Sequence, residues 1–234
     1  MDDPRNHDSP RTLSLRVEGR DAPLSFVARC LIVAGYTARD RAAAQHHIDE
    51  LAEIGVAPPR RVPTFYVLPP DALTTDGAIE VDGPGTTGEA EPVLFCAGAT
   101  WYLGVGSDHT DRDLETVDVG LSKRACAKVV SSSVLEFSEI ESDWDALRLR
   151  SWTGEERRPY QDGSMASLMT GRSILEELAD RVDVDHEGLV VFCGTVPLSD
   201  GGFRPAGRFG AELAGPGGEA LLRCSYDVIT KERV

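Results

Sequence analysis

Two glutamates separated by one residue, in Gly88-Glu89-Ala90-Glu91-Pro92-Val93-Leu94, and an aspartate in Gly106-Ser107-Asp108-His109 are the residues whose types and spacing could do chemistry. Side chains alternate between the faces of a strand, so Glu89 and Glu91 point the same way. Ala97-Gly98-Ala99 reads as a turn, after which a second strand pairs back and carries Asp108 toward the glutamates. At an effective dielectric of about 20, like charges ~4 Å apart repel by about 4 kcal/mol, so three ionised carboxylates need a cation among them. All-oxygen donors suit a hard ion, Mg²⁺, Mn²⁺ or Ca²⁺, and disfavour zinc. Taken alone, the pattern describes a solvated acidic strand equally well.

Other residues could complete such a site. His47 and Glu50 stand at i and i+3 on an expected helix, and His46 and Asp49 repeat the spacing one residue earlier, which leaves the register open. Lys123 and Lys128 follow Asp108 in equally polar surroundings. Arg112 and Asp113 read as an ion pair supporting the loop after Asp108, and Gly194-Thr195-Val196-Pro197 reads as a strand-to-turn transition.

In order, these segments resemble the fumarylacetoacetate hydrolase superfamily. Gly104-Val105-Gly106-Ser107-Asp108-His109-Thr110-Asp111-Arg112-Asp113 is similar to its "G-x-x-x-N-D-x-[ST]-A-R-D" segment, and Glu89-Ala90-Glu91 to its preceding E-x-E. Tyr160-Gln161-Asp162-Gly163 looks like its "vQdgn", and Leu189 to Pro197 like its "G-D-v-i-x-x-G-T-P". His47 to Glu50 followed by Pro63-Thr64-Phe65-Tyr66 resembles its "H-x-x-E … P-x-x-F". The similarity spans roughly residues 30 to 229. Ser107 stands for Asn, Asp111 for Ala and Glu115 for Gln, and only sixteen residues separate Glu91 from Asp108, which points to a short, divergent bacterial branch.

The resemblance implies that Glu89, Glu91 and Asp108 hold the divalent ion, Mg²⁺ with Mn²⁺ or Ca²⁺ as alternatives. It further implies that Lys128, fifteen residues after Asp113, supplies a positive charge, with Lys123 in equally polar surroundings as the competing candidate, and that His47 and Glu50 form an acid/base dyad. Gln161, Gly194 and Thr195 would bind substrate. The implied reaction is hydrolysis of a C–C bond in a small 2-oxo acid or an acylpyruvate-like 1,3-dicarbonyl. Decarboxylation, hydration and isomerisation of a 2-oxo acid start from the same site, and the altered residues also fit a catalytically silent metal- or ligand-binding member. A homodimer is implied as well.

The elements that must position these groups are mostly strands. Alternation at Leu13, Leu15 and Val17 starts the first, and β-type runs follow at Phe65 to Leu68, Ile79 to Val81, Pro92 to Cys96, Trp101 to Val105, Leu189 to Cys193 and Ala220 to Ile229. Helices are expected from Thr37, as cap, to Ile54 with Gly55 ending it; near Glu139 to Leu149; and from Ser173, whose S-I-L-E reads as a capping box. The pattern is a β-dominated α+β fold, which the resemblance refines to a mixed β-sandwich roll with a few peripheral helices. Residues 1–11 are expected to be a flexible tail and 12–234 one catalytic domain.

A net charge of −15, from 39 acidic and 24 basic side chains with no basic run, argues against nucleic acid and anionic lipid as partners. Five scattered cysteines without a C-x-x-C pair and a polar N-terminus predict a cytoplasmic protein with buried thiols and no membrane segment.

Overall fold

Unbroken apolar runs such as Leu31-Ile32-Val33-Ala34, Val93-Leu94-Phe95-Cys96 and Leu189-Val190-Val191-Phe192 mark strands covered on both faces, and all twelve of these residues are buried. The structure, a computed structural model, describes residues 9–53, 58–183 and 185–231, and within the first helix it leaves out the side chains of residues 43, 44, 47, 50, 51 and 53.

The chain opens with β1 (Arg11–Val17), β2 (Leu24–Ala28), β3 (Cys30–Gly35), α1 (Arg41–Glu53) and β4 (Thr64–Leu68). Short strands β5 (Leu73–Thr74), β6 (Ala78–Val81) and β7 (Thr86–Thr87) lead to β8 (Ala90–Ala97) and β9 (Thr100–Asp108). Then come β10 (Thr110–Asp111), α2 (Arg112–Glu115), α3 (Val119–Arg124), β11 (Lys128–Val130), β12 (Ser133–Glu136) and α4 (Phe137–Ile140). The second half holds β13 (Arg148–Thr153), β14 (Arg158–Ser164), α5 (Gly171–Ala179), β15 (Leu189–Phe192), β16 (Arg208–Ala214) and β17 (Ala220–Thr230).

A ten-stranded mixed sheet runs β2-β1-β12-β9-β8-β15-β3-β4, with β11 also pairing β9 and β5 pairing β11; a five-stranded sheet runs β14-β13-β16-β17-β6. One core lies between the sheets, where Ile32, Leu94, Leu103 and Val191 meet Leu149, Phe209, Ala211 and Tyr226. Alternate residues of the same strands, including Val33, Val93, Phe95 and Phe192, turn to a second core with Leu15 and Phe26. Full burial of each such side chain stabilises by roughly 1.5–3 kcal/mol. The observed fold is the expected β-dominated α+β arrangement of curled mixed sheets with few helices.

Several boundaries differ from expectation. The first helix starts at Arg41, and Asp40 accepts from the Ala42 N–H at 2.9 Å, whereas the expected cap Thr37 is buried and its carbonyl accepts from Met169 N. Gly55 lies outside the described residues. The helix expected over 139–149 is only α4 and a 3-10 turn, Glu141–Ala146, because Arg148-Leu149-Arg150-Ser151 already alternates with a period of two and begins β13. The capping box is also displaced: Thr170 caps α5 and accepts from Ser173 N at 3.1 Å. Arg11, placed in the tail from sequence, begins β1. No disulfide links the five cysteines, four of which are buried. Among the described residues no helix is long and apolar enough to cross a membrane.

Candidate functional site

Strand parity brings the carboxylates together. β8 and β9 form a hairpin in which Ala97 faces Thr100 across Gly98-Ala99, and Gly98 takes the positive φ of 62° that this tight turn requires. The register sets Glu91 opposite Gly106, and the Asp108 N–H donates to the Glu89 carbonyl at 3.0 Å. Glu89 and Glu91 share the parity of Val93 and Phe95, so they end the face that lines the second core. Asp108 shares that face through its position two beyond Gly106, and Lys128 joins it because β11 places Lys128 directly opposite Asp108. The spacing of two and the tight turn therefore do what the sequence suggested.

Asp108 is fully buried between two ammonium groups. Lys123 Nζ donates to its Oδ2, and Lys128 Nζ lies 2.9 Å from its Oδ1 while donating to the His109 carbonyl. Burial would raise the Asp108 carboxyl, but the charges of Lys123 and Lys128 outweigh it and hold the group well below the usual carboxylate range. Burial lowers Lys123, yet Asp108, Glu89 and Glu91 together raise it above the ordinary lysine value. Lys128, buried and beside a second ammonium, is shifted down. Glu91 is raised well above an ordinary glutamate, by burial first and then by Asp108. Its Oε2 accepts from the Gly194 N–H at 2.7 Å.

Arg112 holds the other glutamate. Its guanidinium lies 3.1 Å from Glu89 Oε2, donates to Glu115 Oε2 at 2.8 Å and to Thr87 Oγ1 at 2.7 Å, and stacks 3.8 Å over the Phe203 ring. The expected Arg112–Asp113 pair is not the one formed: Asp113 is exposed, and α2 begins with Asp111 accepting from Asp113 N and Leu114 N. His109 is buried with Nδ1 2.8 Å from the Tyr226 hydroxyl and Nε2 2.9 Å from Thr86 Oγ1. Burial, with Lys128 and Arg112 nearby, pushes its pKa down to about 3.

Gln161 uses its whole amide internally. Nε2 donates to Thr195 Oγ1 and the Val196 carbonyl, each at 2.7 Å, while Oε1 accepts from Ala90 N at 2.9 Å and Ser151 Oγ at 2.8 Å. Thr195 in turn donates its hydroxyl to the Ala90 carbonyl at 2.7 Å. These bonds fasten the Gly194–Val196 segment onto β8. Gly194 sits at φ +93°, where a Cβ would fall 1.7 Å from Thr37 Oγ1. The Gly194 N–H and the Thr195 hydroxyl, expected to bind substrate, are thus committed to Glu91 and β8.

Tyr36 was not singled out from sequence, and Tyr66 entered there only as the last position of the Pro63-Thr64-Phe65-Tyr66 segment. Tyr36 is a non-glycine residue at φ +58°, and burial raises its hydroxyl pKa, with Glu115 and Lys123 as the next influences. Tyr66, raised to about 12 by burial, places its ring centroid 5.8 Å from Lys123 Nζ. For Tyr36 the sequence signal was a tyrosine at the end of an apolar run, which core packing explains as well. The side chains of His47 and Glu50 lie outside the described residues, although α1 spans both positions.

The donors suit a hard cation, since they are carboxylate oxygens. Among the described residues, however, no three His, Cys, Asp or Glu side chains stand in ligating arrangement. Lys123 occupies the Asp108 oxygen instead.

Residues 34–226 match the family described as protein of unknown function DUF2848. No curated protein matches the sequence. Among solved structures, a fumarylpyruvate hydrolase from Pseudomonas aeruginosa in complex with Mn²⁺ and pyruvate is similar with a TM-score of 0.65 at 19% identity, covering 95% of this chain and 98% of that one. A 2-hydroxyhepta-2,4-diene-1,7-dioate isomerase from Mycobacterium marinum gives 0.64 at 14% identity over 92% and 83% of the two chains. A yeast fumarylacetoacetate hydrolase family protein gives 0.63 at 15% identity over 88% and 95%. At these identities the likeness establishes architecture. The chain belongs to the DUF2848 family and has the fold of the fumarylacetoacetate hydrolases.

Proposed function

We propose that this protein is a divalent-metal-dependent hydrolase that cleaves a C–C bond in a 2-oxo acid or an acylpyruvate-like 1,3-dicarbonyl. The observation that carries the reading is the placement of Glu89, Glu91 and Asp108 on one face at the end of the β8–β9 hairpin, with two buried lysines on Asp108. A cation held by the three carboxylates would supply Lewis-acid polarisation of a substrate carbonyl.

The protein's own groups divide the remaining work. Lys128, fully buried between Asp108 and the His109 carbonyl, orients Asp108. Lys123, beside Tyr66 and slightly less buried than Lys128, is the better placed of the two ammonium groups to meet a substrate and would favour negative charge developing on its oxygen. Arg112 sets Glu89, and the Gly194 N–H sets Glu91. Gln161 and the Thr195 hydroxyl act as positioning groups that hold the Gly194 segment. Proton transfer to and from water is assigned to His47, with Glu50 orienting it.

The Pseudomonas fumarylpyruvate hydrolase with Mn²⁺ and pyruvate supports a divalent ion and an oxo-acid fragment on this fold, and the mycobacterial isomerase keeps isomerisation as the second reading. Fumarylpyruvate, a simple acylpyruvate and oxaloacetate should be assayed with chelated protein, with Mn²⁺ or Mg²⁺ restored, and with His47→Ala and Glu50→Ala. Metal-dependent acylpyruvate cleavage that drops about 10²-fold or more in either variant is expected. Retained cleavage in both variants would remove the dyad, and oxaloacetate turnover alone would make the protein a decarboxylase.

A further inference from the structure

The carboxylate site already contains a cation of its own. Lys123 Nζ donates to Asp108 Oδ2 and feels the charges of Glu89 and Glu91 as well. It stands where the sequence argument demanded a positive ion. Around this point four carboxylates, Glu89, Glu91, Asp108 and Glu115, face three cations, Lys123, Lys128 and Arg112. With every one of these groups ionised, as a bound ion requires of Glu91, the formal balance is −1, and the divalent ion makes it +1. In a site this buried such a swing is unfavourable unless a positive group retreats or an anion arrives.

The first route is built in. Lys123 belongs to α3, a six-residue helix capped by Asp118, and its Nζ lies 5.8 Å from the Tyr66 ring, a surface that accepts an ammonium through cation–π attraction. Lys128 has no such alternative, since it is strand-bound, fully buried and tied to the His109 carbonyl. Of the two lysines on Asp108, Lys123 is the one that can leave.

We propose that Lys123 is a placeholder cation: a divalent ion takes Asp108 Oδ2 from it, the ammonium moves to the Tyr66 side, and an anionic ligand offering two oxygens restores the charge balance, so that ion and anion bind as a cooperative pair. The inference rests on the metal-site reading above and adds to it the order of events and the charge of the substrate. A neutral dicarbonyl binds poorly under this scheme, and an oxo acid, or a dicarbonyl bearing a carboxylate, binds well.

The test is Mn²⁺ titration of chelator-treated full-length protein, followed by free Mn²⁺ resonance and calorimetry, alone, with oxalate as a two-oxygen anion, and with acetate as control, correcting for Mn²⁺–oxalate complexes in solution. Oxalate should tighten Mn²⁺ binding about tenfold or more in the unmodified protein and acetate should not. Lys123→Met should bind Mn²⁺ about tenfold more tightly without oxalate and gain less from it. Lys123→Arg, which keeps the charge and grips a carboxylate through two donors, should bind Mn²⁺ more weakly than the unmodified protein, a comparison that stands even if the methionine variant does not fold. Mn²⁺ binding that is tight, indifferent to oxalate and unimproved in Lys123→Met overturns the placeholder while leaving the metal site intact. Absence of Mn²⁺ binding in every protein and condition overturns the metal site, and the placeholder with it.

Discussion

At the scale of single residues, two kinds of information separate. The chemical types of Glu89, Glu91, Asp108 and Gln161 were legible from sequence because short motifs carry them, and the facing of the two glutamates followed from a period of two. Which hydrogen bonds each side chain makes was not legible, since those partners arrive from distant parts of the chain. Gln161 shows the difference: its motif suggests contact with substrate, yet its amide bonds Ala90, Ser151, Thr195 and Val196 and leaves no donor over. Gln161→Leu would orphan the Ala90 N–H and the Val196 carbonyl inside the protein, at about 1–3 kcal/mol for each group left unpaired. Urea unfolding should therefore show a loss of roughly 2–5 kcal/mol. A variant as stable as the parent, with only its substrate KM raised, would restore the direct-contact role.

At the scale of elements, long local signals survived and short ones did not. The β8–β9 hairpin was readable because an apolar run, a Gly-containing turn and a second run lie consecutively, and α5 was readable from the S-I-L-E start signal, which lies three residues past the true cap. The elements α2 and α3, of four and six residues, were not, because so few turns cannot form without the capping by Asp111 and Asp118 and the tertiary contacts around them. That is why the choice between Lys123 and Lys128 stayed open: one sits on an unreadable helix and the other on a three-residue strand. The displaced capping box of α5 can be checked directly. Thr170→Ala removes the side chain that accepts from Ser173 N and should cost about 1 kcal/mol, whereas Ser173→Ala keeps that bond and should cost less. Thermal midpoints in the reverse order would return the cap to Ser173.

At the scale of the whole molecule, stability should depend on pH through opposed contributions. His109 is held near a pKa of about 3 in the fold, so below its unfolded value of about 6.5 the unfolded chain binds a proton that the fold refuses, and stability falls as pH drops through that window by at most about 1.4 kcal/mol per pH unit. Glu91 is raised in the fold, so its contribution runs the other way: it is present below the unfolded carboxylate value and lost as pH rises through the folded one. The net charge of −15 adds to the second trend, because acidification relieves repulsion, but high salt screens that part and leaves the buried groups. Urea midpoints in metal-free, high-salt buffer between about pH 7 and about pH 5 should then fall more steeply in Glu91→Gln than in the parent, and less steeply in His109→Gln. Coincident slopes for Glu91→Gln and the parent would mean that Glu91 is ionised in the metal-free fold. An ion that requires Glu91 as a carboxylate removes its proton uptake, so saturating Mn²⁺ should give the parent the steeper slope of Glu91→Gln, which ties acid sensitivity to occupancy of the site without any measurement of turnover.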